Sequence, residues 1–222
     1  METVKQIPYG VADFESVINQ NMYYVDKTMY LAELEKQPRT LIFIRPRRFG
    51  KSLFISMMRA YYDKSKADRF DKLFGSLWIG SHPTPLRNHY QVLYLDFSRI
   101  LGNIDVLEEK FNSYCCDQLN DFIDTYRDDY PKERVEEFLR SDDHGQKLNL
   151  LLNMSRKYGQ ALYLIIDEYD SFTNIVFSEQ VEETYFKTSL IGKFYSHVFK
   201  MFKGMFERIF LTGVSPVTLD DL

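Results

Sequence analysis

Four short apolar runs divide the chain, and most of the remaining apolar positions recur at the spacing of a helix. The runs cover residues 41–44, 92–97, 162–166 and 208–214. Their length and their β-branched and aromatic residues are typical of buried strands. Because these runs alternate with helical patterns, we predict an α/β fold, a three-layer sandwich around a mostly parallel sheet.

The first run leads into the sequence RPRRFGKS, after which the apolar positions take helical spacing. Strand, turn, Gly-Lys-Ser and helix is the layout of a phosphate-binding P-loop, so we predict a P-loop NTPase sandwich. Gly50 would let the backbone approach the anion, Lys51 would hold the β- and γ-phosphates, and Ser52 would bind Mg²⁺. We expect the nucleotide to contact the whole loop: Arg45, Pro46, Arg47, Arg48, Phe49, Gly50, Lys51, Ser52 and Leu53.

This loop departs from the general motif at its first position, where Arg45 stands in place of glycine. With Lys51, its arginines Arg45, Arg47 and Arg48 form a basic cluster. Such a cluster also suits a solvated turn, or a patch that contacts the phosphates of nucleic acid. The loop alone leaves these alternatives open.

Residues 1–39 precede the P-loop strand. Asp13 is placed to cap a short helix, residues 22–25 have the pattern of a short strand, and Thr28 opens a second helix. In many P-loop ATPases the segment ahead of the first strand packs beside the base of the nucleotide. Candidates for that wall are Tyr24, Asp26 and Lys27. A simple packing arm is the alternative.

The third run ends on two acids, Asp167 and Glu168, which is the Walker B arrangement. Asp167 would hold Mg²⁺, and Glu168 would polarise the water that attacks the γ-phosphate. Asp170 is better explained as the cap of the following helix. Because the acids follow the Gly-Lys-Ser sequence in the order that the fold requires, they favour nucleotide hydrolysis over a basic turn.

Polar residues also end the second and fourth runs. From the end of the P-loop helix near Asp63, a polar loop with Pro83 and Pro85 is predicted to lead to the second run. Asp96, near the end of that run, would hold a water or orient a loop arginine or, more commonly, cap the next turn. Thr212 ends the fourth run, and we expect its hydroxyl to sense the γ-phosphate or the attacking water, with Ser215 as the substitute. We also expect the fourth strand to lie between the P-loop strand and the Walker B strand.

Residues 104–158 are predicted to be largely helical. The first helix begins at the start of this region, a second follows Pro131, and a third ends at Gly159. A connection of three helices is long for one crossover between strands. We therefore interpret the region as a helical insertion within a single domain of residues 1–222. A further helix, rich in aromatic residues, is predicted over residues 182–203.

Composition narrows the class of protein. The chain has 222 residues, 45% of them hydrophobic and 27% charged, which suits one globular domain. A formal net charge of −4 argues against a chain that binds nucleic acid throughout. The two cysteines, Cys115 and Cys116, are adjacent, which suits neither a disulfide framework nor a zinc site.

Targeting signals and metal-ligand patterns are missing from the sequence. The four histidines do not have metal-ligand spacing. No apolar run reaches the ~18 residues of a membrane span. The first residues lack the apolar core of a signal peptide. We therefore expect a cytoplasmic protein that has no membrane partner.

The chain resembles the AAA-ATPase-like family of bacterial P-loop proteins in four stretches: PYGVADFESVINQNMYYVDKTMYL, LIFIRPRRFGKSLFISMM, LYLIIDEYD and LTGVSPVT. The arginine-rich loop is itself typical of this family. The resemblance implies ATP as the nucleotide, bound through Gly50, Lys51 and Ser52, with Mg²⁺ at Ser52 and Asp167. Members often continue into a C-terminal domain similar to restriction-endonuclease-like nucleases, which would be the route to a nucleic-acid partner. A further strand usually flanks the P-loop strand, so we expect a truncated C-terminus.

We therefore predict Mg²⁺-dependent ATP binding and hydrolysis, with Lys51, Glu168 and Thr212 as the catalytic residues. One alternative is a nucleotide-gated module that binds DNA or RNA and hydrolyses little. Another is a protein-interaction domain that works through residues 104–158. No arginine finger is identifiable, so one supplied by another subunit of a homo-oligomer stays open. The choice between ATP and GTP also stays open.

Overall fold

The computed structural model describes residues 5–171, 190–196 and 204–215. The four apolar runs form four strands: β1 (Thr40–Ile44), β2 (Gln91–Asp96), β3 (Leu162–Asp167) and β4 (Arg208–Gly213). All of them run parallel in one sheet, in the order β1-β4-β3-β2. The prediction of an α/β fold with a parallel sheet is therefore confirmed.

The strand order brings three strand ends together. β4 lies between β1 and β3, as the sequence predicted, with Thr212 opposite Phe43 and Leu211 opposite Ile166. On the other side of β3, Asp167 lies opposite Asp96. Because parallel strands end at the same edge of a sheet, the polar residues at their carboxyl ends share one edge.

Five α-helices lie in the first part of the chain. They are α1 (Phe14–Asn19), α2 (Met29–Glu35), α3 (Lys51–Tyr62), α4 (Phe70–Phe74) and α5 (Trp78–Ser81). The predicted cap is present, because the Asp13 carboxylate accepts a hydrogen bond from the Ser16 amide at 2.7 Å. The region around α4 and α5, with a 3₁₀-helix at Lys64–Arg69, was predicted as a polar loop, and that prediction is wrong. Short helices such as these carry too few apolar positions for a clear period.

The strand predicted for residues 22–25 is also wrong. These residues are not part of the sheet, and the Tyr23 amide donates to the Gln6 carbonyl at 2.8 Å. Met22 is buried whereas Tyr23 and Val25 are exposed, so the alternating pattern was real. The segment packs one side against the domain without pairing with another strand.

Three helices connect β2 to β3: α6 (Ile104–Thr125), α7 (Lys132–Leu139) and α8 (His144–Lys157). They match the three predicted helices, and short 3₁₀-helices flank α6 at Phe97–Arg99 and Arg127–Asp129. The Asp143 carboxylate caps α8 by accepting from the Gln146 amide at 2.7 Å. Helix α9 (Leu190–Ser196) lies within the helix predicted for residues 182–203, the rest of which is outside the described residues.

Apolar side chains pack on both faces of the sheet, which gives three layers. On one face Leu164 and Ile166 of β3 pack with α6 and α8. On the other face Tyr163 and Ile165 pack with α1, α3 and α4. This alternation along one strand buries all six residues of β3, as expected for the centre of a parallel sheet. In the part of the chain that the structure describes, no helix has both the length and the hydropathy that crossing a membrane requires.

Candidate functional site

The P-loop turns sharply between β1 and α3. Arg48 and Gly50 both have left-handed backbone conformations, with φ values of 66° and 78°. Residues 45–50 are exposed. Among the described residues no side chain caps the first turn of α3. Its amide groups are therefore available to an anion, and the positive end of the helix dipole points the same way.

The Lys51 side chain lies inside the loop. Its ammonium donates to the carbonyl oxygens of Arg45 at 3.1 Å and Pro46 at 3.3 Å. The same nitrogen is 3.7 Å from Oε1 of Glu168. Only 5% of the Lys51 side chain is exposed, whereas 25% of Glu168 is. The lysine that begins α3 and the acid that follows β3 therefore face each other.

A second contact joins the same two segments. The Ser52 hydroxyl donates to Oδ2 of Asp167 at 2.9 Å, across a separation of 115 residues. Asp167 is 2% exposed. Burial raises the pKa of Asp167 to about 6, the charges of Asp96 and Glu168 add to this rise, and the hydrogen bond from Ser52 opposes it. A buried carboxylate next to other acids favours the approach of a cation.

Glu168 adopts a strained backbone conformation at the end of β3. Its φ is 52°, which is uncommon for a residue with a Cβ. Its amide donates to Oδ1 of Asp167 at 3.0 Å, so the acid before it helps to hold this turn. The left-handed turn directs the Glu168 carboxylate toward Lys51. Such strain is frequent where a fold fixes a reactive side chain.

Thr212 presents a buried hydroxyl at the end of β4. The residue is 0% exposed, and its Oγ1 has no hydrogen-bond partner among the described residues. A buried hydroxyl without a partner costs about 1–3 kcal/mol. Thr212 therefore has unused capacity to bond a ligand or a water. Ser215, the substitute candidate, is exposed, and its backbone contacts Tyr169 and Asp170.

A cavity of about 440 Å³ opens beside the P-loop. One wall is α2, whose residues Tyr30, Glu33 and Leu34 face it together with Gln37. Aromatic side chains from β1, the loop and α3 form much of the remainder: Phe43, Phe49 and Phe54. The cavity reaches Gly50 and Lys51, so a ligand there would adjoin the phosphate-binding loop.

The three residues predicted to form the wall beside the nucleotide base do not all line the cavity. Lys27 lines this cavity and also a second one of about 260 Å³, which Tyr24 lines as well. Asp26 instead accepts hydrogen bonds from the Thr28 amide, the Thr28 hydroxyl and the Trp78 amide. These bonds join the start of α2 to α5, so Asp26 has a structural role.

Asp96, at the end of β2, has a structural role that the sequence anticipated. Its Oδ1 accepts from the amide and the hydroxyl of Ser98 at 3.1 Å and 2.6 Å. Its Oδ2 accepts from Nε of Arg99 at 3.2 Å. Asp96 thus caps the turn after β2 and orients an arginine of that turn.

The chemistry of Ser52 and Asp167 fits Mg²⁺. This ion prefers hard oxygen ligands and usually takes one or two from the protein and others from phosphate and water. The hydroxyl and the carboxylate oxygen, 2.9 Å apart, are close enough to bind one ion side by side. The described residues contain no group of three or more His, Cys, Asp and Glu side chains that suits a metal.

The sequence did not reveal the roles of Tyr169 and Asp170. Oδ2 of Asp170 accepts from the amides of Val214 and Ser215, and the Tyr169 hydroxyl donates to the Ser215 carbonyl. The helical turn that we expected Asp170 to cap lies largely outside the described residues. Contacts with residues 44 to 46 positions away leave no local pattern, so no sequence signal would have found them.

Known proteins are similar to this chain at two levels, a single relative and a family. A 40% identical match over 88 residues was found with an uncharacterized protein in the vnfD 5′ region of Azotobacter chroococcum mcd 1. The match covers 36% of this chain and spans only 16% of that relative's length. No solved structure matches the chain. The model of the AAA-ATPase-like family, described as predicted AAA-ATPases, matches residues 8–222. The chain therefore belongs to the AAA-ATPase-like family.

Proposed function

We propose that the protein binds ATP with Mg²⁺ and hydrolyses it. One observation carries the proposal: the P-loop and the end of β3, distant in sequence, meet through two pairs of side chains. Lys51 lies 3.7 Å from Glu168, and Ser52 lies 2.9 Å from Asp167. Cation, hydroxyl and acids thus converge at the N-terminus of α3, where a triphosphate would bind.

The phosphate groups would be held mainly by the loop. The amides of the first turn of α3 would donate to them, and Gly50 would permit the close approach. Lys51 would turn its ammonium from the carbonyls of Arg45 and Pro46 to the β- and γ-phosphates. The base would enter the cavity beside α2, where aromatic side chains offer flat apolar surfaces.

Hydrolysis would use the acids and the threonine. Ser52 and Asp167 would bind Mg²⁺, which neutralises charge on the phosphates when it is bound. Glu168, freed from Lys51 by the phosphates, would accept a proton from the attacking water. The Thr212 hydroxyl would bond that water or a γ-phosphate oxygen, which would satisfy a buried group that has no partner among the described residues.

Two substitutions test this proposal. Glu168→Gln should keep ATP affinity but lower turnover by about 10²–10⁴-fold, because it removes a general base. Lys51→Ala should abolish ATP binding. The matched controls are Lys132→Ala and Glu136→Gln, which break an exposed pair on α7 whose charged atoms are 4.0 Å apart. Normal turnover by both site variants would contradict the proposal.

The exposed arginines support a second candidate function. Arg45, Arg47 and Arg48 lie on the surface of the loop, where they would reach the phosphates of DNA or RNA. In this alternative the protein is a nucleotide-gated module with little hydrolysis. Nucleic-acid affinity that falls steeply with salt, together with absent ATP turnover, would favour it.

We further propose a reducing, cytoplasmic setting, because Cys115 and Cys116 are both free and buried.

A further inference from the structure

Four hydrogen bonds tie the end of β4 to the residues after the Walker B acids. Here "sensor loop" means residues 212–215. Oδ2 of Asp170 accepts from the Val214 amide at 2.9 Å and from the Ser215 amide at 2.6 Å. The Tyr169 hydroxyl donates to the Ser215 carbonyl at 2.7 Å, and its amide donates to the Thr212 carbonyl at 3.0 Å.

The packing around Gly213 leaves no space for a side chain. A Cβ at this position would lie 2.5 Å from Oδ1 of Asp170 and 2.7 Å from Cε1 of Tyr169. Both side chains are 3% exposed, so neither has open solvent to move into. Hydrogen bonds from amides to a buried carboxylate are among the stronger ones in proteins. The sensor loop is therefore held in one place.

The opposite side of the sensor loop touches the P-loop. The Arg45 amide donates to the Gly213 carbonyl at 3.2 Å. The segment that carries Thr212 thus lies between the phosphate-binding loop and the Walker B turn. Tyr169 and Asp170 directly follow Glu168, so they set the distance between the Glu168 backbone and the sensor loop.

We propose that Asp170 and Tyr169 are positioning residues for hydrolysis. They fix the sensor loop so that the Thr212 hydroxyl and the Glu168 carboxylate face the same attacking water. This inference rests on the proposed ATPase function and assigns roles that the sequence pattern did not. A purely structural role is the alternative, in which the contacts stabilise the fold without affecting the reaction geometry.

The test compares the full chain with the variants Asp170→Ala, Asp170→Asn and Tyr169→Phe. Three quantities are measured: kcat, the Kd for Mg²⁺-ATP, and the NMR-detected exchange rates of the Val214 and Ser215 amides. The matched control is Asp143→Ala, which removes a carboxylate that also accepts a backbone amide but caps α8. The exchange rates do not depend on turnover.

Asp170→Ala should lower kcat by about 10²-fold while Kd stays within about threefold, because misplacement of a positioned group costs about that much. The Val214 and Ser215 amides should exchange faster. Asp170→Asn keeps an acceptor oxygen and should recover part of kcat. Tyr169→Phe should change kcat in the same direction by less, and Asp143→Ala should leave kcat unchanged.

Four results would overturn the inference, and they are distinguishable. Wild-type kcat in Asp170→Ala, with faster amide exchange, would show that the sensor loop need not be fixed. A parallel loss of kcat, affinity and thermal stability would show a structural role. If Asp170→Ala does not fold, Tyr169→Phe and Gly213→Ala decide, and normal kcat in both contradicts the inference. A wild-type chain without turnover would remove the proposed function and this inference with it.

Discussion

Asp167 is a buried acid at the centre of the proposed metal site. The carboxylate is buried at the end of β3, and its pKa rises from an ordinary 3.8 to about 6. The Ser52 hydroxyl is its hydrogen-bonding neighbour, and Asp96 and Glu168 add negative charge nearby. Burial of such a group costs stability, and a bound cation would offset that cost.

The raised pKa of Asp167 predicts a pH-dependent stability. Between about pH 4 and pH 6 the native carboxyl keeps a proton that the unfolded chain releases, so stability falls as pH rises through this window. Asp167→Asn should therefore be more stable than the wild type at pH 7, by on the order of 2 kcal/mol, and similar at low pH. Urea unfolding without metal at several pH values measures this. A variant that is less stable than the wild type at pH 7 would contradict the prediction.

Thr212 allows a second test at the level of one residue. Because its hydroxyl has no partner among the described residues, Thr212→Val should raise the free energy of unfolding by about 1 kcal/mol. The same change should lower turnover, because it removes the hydroxyl that we propose orients the attacking water. Chemical unfolding and a turnover assay measure the two effects.

Thr28 provides the matched control for Thr212, since it is also 0% exposed. Its hydroxyl donates to Asp26 at 2.7 Å and accepts from the Ile79 amide at 3.1 Å. Thr28→Val should therefore lose about 1–3 kcal/mol of stability. A loss of similar size in Thr212→Val would show that the Thr212 hydroxyl is already satisfied.

The elements show which parts of the site the sequence could predict. The place of β4 between β1 and β3 was predicted and is confirmed, whereas the place of β2 at the edge of the sheet was not predicted. The strand prediction for residues 22–25 was wrong because an alternating pattern of side chains does not reveal whether a segment pairs with a neighbouring strand. The contacts of Asp170 were not predictable, because they depend on how two loops meet after the sheet has formed.

Gly50, in the turn between β1 and α3, and Gly159, after α8, should lose similar stability when changed to alanine but should differ in their effect on ATP binding. Gly50 and Gly159 have similar left-handed conformations, with φ values of 78° and 66°, and a Cβ at either would meet no atom within 4 Å. Changing either to alanine should therefore cost about 1–2 kcal/mol of stability through backbone strain alone.

Only Gly50→Ala should also weaken ATP binding, because Gly50 lies in the loop that we propose binds the phosphates and Gly159 follows α8. Calorimetric titration of both variants, with unfolding measured in parallel, separates strain from loss of the site. Equal ATP affinity in the two variants would contradict the placement of the phosphates against Gly50.

At the scale of the whole molecule, different helices cover the two faces of the sheet. Helices α1–α5 cover one face, and α2 and α3 flank the cavity beside the P-loop. Helices α6–α8 cover the other and supply nearly half of the buried residues in the larger apolar cluster. The candidate site lies at the carboxyl edge between these layers, where α/β sheets commonly place ligands. Whether residues 104–158 are an insertion with a contact surface of their own stays a prediction.

The central claim is that two distant segments hold one Mg²⁺-bound triphosphate. Calorimetric titration of Mg²⁺-ATP into the wild type and into Lys51→Ala, with Lys132→Ala as the control, tests it most directly. We expect saturable binding by the wild type and the control, and none by Lys51→Ala. Equal affinity in all three proteins would contradict it.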